Sequence, residues 1–260
     1  MDEEGLVRKR EVFDSTCFSL LSHLESFEEV VAIDFSANDP VDSHEINLWE
    51  KKNLPYKLPT DLKAFLQLFN GVHVSWKVQV DGKHVNIGEI NINRLELIQR
   101  CALEGSFLKS LDGKIDTPSP KTAAAFILET RGDQGGQILM IYRHHIEDNS
   151  NSNSHGSASL DSHGQQYANP EIWYQDPSTR WHYICNGFTE YLRLAIVHLG
   201  VAGWLMAFTP EGLSNDSKNW MGLFCPERLC IDKNGFASEK NTANGVSVGV
   251  TTINNSPTKS

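Results

Sequence analysis

Few side chains in this sequence stand at spacings that do chemistry, and each candidate set also has a plainer reading. Cys225 and Cys230 form a Cys-x4-Cys pair that offers two thiolates. A structural zinc site takes four ligands, and no second Cys or His pair follows at a usable interval. His144-His145, His155 and His163 suit a transition metal by type, yet two of them lie in a low-complexity stretch without fixed geometry. Glu171, Asp176, Glu190 and Glu227 are carboxylates of the kind that acid–base chemistry uses in pairs. Nothing in their spacing brings two to one cleft, and a solvated surface explains them. The strongest enzymatic alternative is a site built from His182, Glu171 and Asp176 around one hairpin, which requires the three groups to converge in one pocket. GxGxxG, GxxxxGKS, GxxxxGKT and HExxH are all missing, so the common frameworks for phosphate cradling and catalytic zinc are excluded. Arg131-Gly132-Asp133 matches an adhesion tripeptide, but a Gly-rich hairpin turn accounts for the same residues. The expectation is a chain with no catalytic residues, no cofactor and no metal.

What the second half does concentrate is aromatic surface: Trp173, Tyr174, Trp181, Tyr183, Tyr191, Trp204 and Trp220. Large aromatics bury about 150 to 250 Å² each and either fill a core or anchor a partner. Alternation along a strand puts Trp173 with Gln175 on one face and Tyr174 with Asp176 on the other, so one face is expected to be core. Trp173 and Trp181 read as core residues, and Trp173, Tyr174, Trp181 and Tyr191 are the candidate partner-binding set.

The elements that must position these residues follow from periodicity and punctuation. Phe18, Leu21, Leu24 and Phe27 recur at helical steps, and Val30 to Phe35 reads as a short strand. Ser43 is placed to cap a short helix carrying Ile46 and Trp49. A clearer helix starts at Pro59 with Thr60 as cap, carries Leu62, Phe65, Leu66 and Phe69, and stops at Asn70-Gly71. Val72 to Val80 alternates, Asp81-Gly82 supplies type I′ turn chemistry, and Lys83 to Ile87 returns, with Ile90 to Ile92 continuing the sheet. Leu95 to Leu103 reads as a further helix and residues 105–121 as a surface loop. Ala123 to Thr130 with Gln137 to Arg143, and Glu171 to Asp176 with Arg180 to Cys185, are two more strand pairs. Phe188 to Leu199 is an apolar helix ending at Gly200, and Trp204 to Phe208 a shorter apolar segment. Hairpins without crossover helices predict an α+β fold, a largely antiparallel sheet with helices packed on one face. The division expected is residues 1–41 as an acidic helix and strand belonging to or packed on the main domain, 42–236 as that domain, and 237–260 as a flexible tail. Residues 147–169, rich in Asn, Ser and Gly, are expected to be a disordered insert.

Composition bounds the partners. In 260 residues, 23 Lys and Arg face 33 Asp and Glu for a net charge of −10, with 40% hydrophobic residues. Residues 1–60 hold 6 basic and 13 acidic side chains, so the acidity is concentrated at the amino end. Such a chain is unsuited to tracking phosphates, which argues for no nucleic acid partner. The longest nearly apolar run, Leu194 to Phe208, has 15 residues, short of the ~18 of a membrane span, so no membrane is expected. Five dispersed cysteines (Cys17, Cys101, Cys185, Cys225 and Cys230) read as reduced intracellular thiols, and the acidic start lacks the apolar run of a signal peptide.

Several segments, taken in order, resemble a known family. Trp49-Glu50-Lys51-Lys52-Asn53, Leu58 to Phe65, Asn70-Gly71 and Trp76 resemble the front half of the SMI1/KNR4-like α+β domain. Glu171 to Asp176, Trp181-His182, Tyr191 to Leu194, His198-Leu199-Gly200, Trp204, Ala207-Phe208-Thr209 and Gly212 are similar to the tubulin polyglutamylase complex subunit 2 family. The resemblance covers residues 45–223. It implies a non-catalytic scaffold subunit that supports glutamate-chain addition to tubulin, with the chemistry done by a separate tubulin-tyrosine-ligase-like catalytic subunit. The implied partners are the other subunits of such a complex, and the implied location is the cytoplasm and cytoskeleton, at microtubules, the centrosome or the cilium base. A chain of this charge repels an acidic tubulin tail, so contact with tubulin is expected to be indirect. The alternative is a general SMI1/KNR4-like interaction adaptor in an unrelated assembly, since fold alone does not fix function.

Overall fold

The computed structural model describes residues 19–103, 123–130, 136–143, 159–160, 166–167 and 169–232. A first helix, α1 (19–25), sends Leu20 and Leu24 inward, and β1 (Val30–Ala37) follows it. α2 (Ser43–Lys52) begins one residue later than its cap. The Glu45 N–H donates to Asp42 Oδ1 at 2.7 Å while the Asp42 N–H donates to Glu45 Oε2 at 3.0 Å. Asp42, not Ser43, is therefore the N-cap, because this reciprocal capping box satisfies two orphan amides where a lone serine satisfies one. α3 (Thr60–Leu66) opens with Thr60 already helical and Pro59 at the cap position. It buries Leu62, Phe65 and Leu66, the stripe that spacing predicted.

β2 (Val72–Val80) and β3 (Lys83–Ile92) make the expected hairpin. Asp81 and Gly82 have φ of 49° and 75°, the left-handed pair that matches the twist of the strands. β1 joins the outer side of β2, giving a sheet ordered β1-β2-β3. A second sheet is built from β4 (Arg100–Cys101), β5 (Ala123–Thr130), β6 (Gln137–Arg143), β9 (Glu171–Gln175) and β10 (Trp181–Cys185), in the order β10-β9-β6-β5-β4. Every pairing in both sheets is antiparallel. The α+β expectation holds. The segment read as a helix from Leu95 differs: a 3-10 turn at Leu95–Leu97 gives way to β4. Long-range partners claim its backbone groups, for the Leu95 N–H donates to Asn70 Oδ1 at 2.7 Å, the Trp49 indole N–H donates to Ile98 O at 2.8 Å, and Ile127 N–H donates to Gln99 O at 2.9 Å.

Within the segment read as an insert, β7 (Ser159–Leu160) pairs with β8 (Gln166–Tyr167). Most of that segment, the 105–121 loop, the tail from 237, the Arg131-Gly132-Asp133 turn, Cys17 and the His144, His145, His155 and His163 set lie outside the described residues.

α4 (Phe188–Val197) and a 3-10 turn at Trp204–Phe208 follow β10. α5 (Asn215–Phe224) and a last helix, α6 (226–232), were not anticipated by periodicity. The signal for α5 is a cap. Ser214 accepts the Ser217 N–H at 3.0 Å, Asp216 sits in the first turn, and Met221 and Phe224 point inward. Inner faces of both sheets and the helices share one core, which runs from Leu24 through Trp76 and Phe126 to Tyr191 and Phe224. A smaller cluster of Leu103, Ala125, Leu139, Ile141, Trp173 and Trp181 lies on the other face of the five-stranded sheet and, among the described residues, contains no helical one. Among the described residues no helix is long and apolar enough to cross a membrane.

Candidate interaction surface

The four aromatics singled out from sequence are all buried: Trp173 is 3% exposed, Tyr174 5%, Trp181 2% and Tyr191 1%. Strand alternation divides the strand residues as expected, with Tyr174 in the main core and Trp173 and Trp181 in the second cluster, while Tyr191 enters the main core from a helix. Both faces of the sheet are packed, where one buried face was expected. The Trp173 indole N–H donates to Glu171 Oε2 at 2.8 Å, and Arg143 Nε donates to the same oxygen at 2.9 Å. The guanidinium carbon of Arg143 stands 5.7 Å above the Trp173 ring. Tyr191 donates its hydroxyl hydrogen to the buried Glu129 carboxylate, so that phenol serves an internal bond.

His182 and Asp176 do meet, Nε2 to Oδ2 at 3.0 Å, on the core side of the hairpin. Asp176 also accepts the Arg180 N–H at 2.9 Å and Arg180 Nε at 2.7 Å, and Arg180 continues to Glu211. Burial pushes the Asp176 carboxyl up, but the hydrogen bonds from His182 and from the backbone and guanidinium of Arg180 outweigh it and hold the group below the usual range. Glu171 points to the opposite face of the sheet. The three groups of the enzymatic alternative therefore do not converge, and the Asp176 network locks the β9–β10 turn against the loop carrying Glu211.

A second buried cluster escaped the sequence reading because its members are far apart in the chain. His198 Nε2 lies 2.9 Å from Asp232 Oδ2, its Nδ1 lies 2.6 Å from Leu194 O, and its ring stacks on Trp204 at 4.4 Å. Arg228 Nη2 closes on Asp232 Oδ1 at 2.5 Å. This cluster ties α6 to the end of α4. Burial pushes the Cys101 thiol up to about 11, the Cys185 thiol to about 12 and the Cys225 thiol to about 11, leaving little thiolate for nucleophilic attack or metal binding near neutral pH. Among the described residues no three His, Cys, Asp or Glu side chains group so as to hold a metal ion.

The groups open to a partner lie elsewhere. Phe35 in β1 is 43% exposed, Leu54 66%, Leu223 in α5 65% and Ile231 in α6 58%. Around β1, Glu25, Glu28, Glu29, Asp34 and Asp39 are also exposed. No sequence periodicity marks the Phe35 rim and the carboxylates around β1, because exposure at a sheet rim depends on which strand lies outermost.

Compared with known proteins, the chain is 29% identical over 245 residues to tubulin polyglutamylase complex subunit 2 of Homo sapiens, a match covering 87% of this chain and 76% of that protein. It is 30% identical over 217 residues to the Rattus norvegicus protein of the same name, covering 78% of this chain and 68% of the relative. The Mus musculus protein of that name gives 29% over 217 residues with the same coverage. No family model matches the chain. No solved structure matches it.

Proposed function

The chain belongs to the tubulin polyglutamylase complex subunit 2 family, and on that premise we propose that it is a non-catalytic scaffold subunit of a tubulin polyglutamylase complex. In this reading it holds other subunits, including a tubulin-tyrosine-ligase-like catalytic subunit, in position while that enzyme adds glutamate chains to tubulin. Its SMI1/KNR4-like domain is the interaction platform, and its place of work is the cytoplasm and the microtubule cytoskeleton, including the centrosome or cilium base. The observation that carries the proposal is similarity at 30% identity extending over 78% of the chain to a protein named as a complex subunit.

The site chemistry supports the same reading. The polar side chains that meet inside the molecule join turns and helices to one another, and large apolar side chains such as Phe35 and Leu223 are left exposed for a partner to cover. Trp173, Tyr174, Trp181 and Tyr191, all buried, serve partner binding in this reading by holding the five-stranded sheet and α4 in shape. Net charge of −10 favours holding tubulin through the other subunits instead of gripping its acidic tail.

Affinity purification of the tagged full chain from ciliated cells tests the proposal by mass spectrometry and by assay. Recovery of a ligase-like subunit, glutamylation by the assembly and no glutamylation by the purified chain alone are expected. Recovery of an unrelated assembly, as a general adaptor would give, or turnover by the chain alone, refutes it.

A further inference from the structure

We propose that the outer edge of β1 is a docking strand that takes a basic, extended segment of another polypeptide as a fourth strand of the β1-β2-β3 sheet. The inference rests on the reading of the chain as a complex subunit and adds where a partner is held and by what chemistry.

The other sheet edges are closed or short. β3 is covered by residues 200–202, with Glu89 N–H donating to Gly200 O at 2.9 Å and Ala202 N–H to Ile87 O at 2.7 Å. β10 lies against the Trp204–Phe208 turn, and β4 is two residues long. β1 is eight residues long, and among the described residues no strand pairs with its outer side. A row of backbone donors and acceptors without strand partners is a template for another strand, and proteins commonly guard such edges with Lys, Pro or brevity. Val30–Ala37 contains neither Lys, Arg nor Pro. Its one irregularity lies between Val30 and Ala32, so register is continuous from Ala32 to Ala37.

The side chains specify the occupant. Phe35 pairs with Val74 on the core-facing side yet is 43% exposed, an apolar rim that an added strand would cover. Asp34 lies on the opposite side with Ser75, its carboxylate 62% exposed and 3.2 Å from Lys77. Residues 19–42 include Glu25, Glu28, Glu29, Asp34, Asp39 and Asp42 and contain no Lys or Arg. A second copy would lay this acidic strand against its own like charge. The complementary guest alternates apolar residues, placed over Phe35, with Lys or Arg, placed over Asp34, because strand side chains repeat every second residue.

The test uses the full chain and a fluorescent peptide of about nine residues alternating valine with lysine, titrated by polarisation. Binding is expected, with loss of about tenfold in affinity in E28K/E29K and loss at about 0.5 M salt, as exposed charge pairing requires. The same peptide N-methylated at alternate backbone nitrogens, which cannot complete the ladder, is expected not to bind. Equal binding by the methylated peptide, or unchanged affinity in E28K/E29K of undiminished thermal stability, overturns the proposal. A photo-crosslinker at position 35 in the assembly purified from cells supplies the second readout. A crosslink to a Lys- or Arg-bearing extended segment of another subunit supports the docking strand. A crosslink to a second copy, to this chain itself or to an acidic segment overturns it. Failure to recover any ligase-like subunit with the unmodified chain instead removes the complex reading, and the peptide titration then decides the edge by itself.

Discussion

Adding one methyl group at Gly88 probes the joint between the two halves of the sequence. A Cβ there would stand 2.0 Å from Trp76 Nε1, 2.5 Å from Trp76 Cε2 and 2.7 Å from Leu199 O, where unstrained contact lies near about 3.5 Å. The indole has little room to yield. It is 1% exposed, packs edge-on to Phe224 at 4.8 Å, and its N–H donates to Leu199 O at 2.8 Å. Nor does the Leu199 carbonyl retreat easily, because Gly200 after it has φ of 61° and its own Cβ position lies 2.4 Å from Glu89 O. Overpacking costs about 1 to 3 kcal/mol, and leaving a buried donor without its acceptor adds about 1 to 3 kcal/mol. Gly88→Ala should therefore lose about 2 to 6 kcal/mol in urea denaturation, with a drop in melting temperature of roughly 4 to 24 °C. Trp76→Leu removes the clashing atoms, so Gly88→Ala in that background should cost at least ~1 kcal/mol less. A shift within about 0.5 kcal/mol, or strict additivity of the two substitutions, would refute the packing argument.

Asp176→Asn should destabilise the chain by about 1 to 3 kcal/mol at neutral pH, because the carboxylate holds hydrogen bonds with His182 and with the backbone and guanidinium of Arg180. Because the folded Asp176 carboxyl titrates below its unfolded value of about 4, its stabilisation is complete above that value and is lost as pH falls through the folded one. Denaturation curves below about pH 5 should accordingly be less pH-dependent in Asp176→Asn than in the parent, and equal slopes would contradict the assignment. Tyr191→Phe takes a donor from the buried Glu129 carboxylate and should cost about 1 to 3 kcal/mol by the same assay; a neutral result would mean that Glu129 does not depend on the phenol. For the thiols, alkylation at neutral pH followed by peptide mapping should label the exposed Cys230 before Cys101, Cys185 and Cys225, whose thiols burial holds in the protonated form. Faster labelling of Cys185 would show the hairpin end to be open.

Local patterns in the sequence revealed the elements whose signals are local. The Asp81-Gly82 hairpin, the Leu62, Phe65 and Leu66 stripe and the alternation that separates Trp173 from Tyr174 all appear where expected. Elements governed by distant partners were harder to read. Leu95 to Leu103 has helical spacing, but Asn70, Trp49 and Ile127 take its backbone groups. α5 is announced only by Ser214 and a short apolar face, which a composition-based reading passes over. Candidate-site residues divide in the same way. Burial of the four aromatics is consistent with their type, whereas the pairing of His198 with Asp232, 34 positions apart, has no local signature.

The hydrogen bond from Trp76 to Leu199 spans 123 positions, and Phe224 packs on the same indole. A ribosome that has released only the first half of the chain has made the β2–β3 hairpin but not the groups that seal it. Such high contact order slows folding and leaves apolar strands uncovered while synthesis proceeds. Premature termination anywhere before Leu199 therefore removes more than the missing helices: it leaves the amino-terminal sheet with its central tryptophan in water, a form destined for chaperones or degradation.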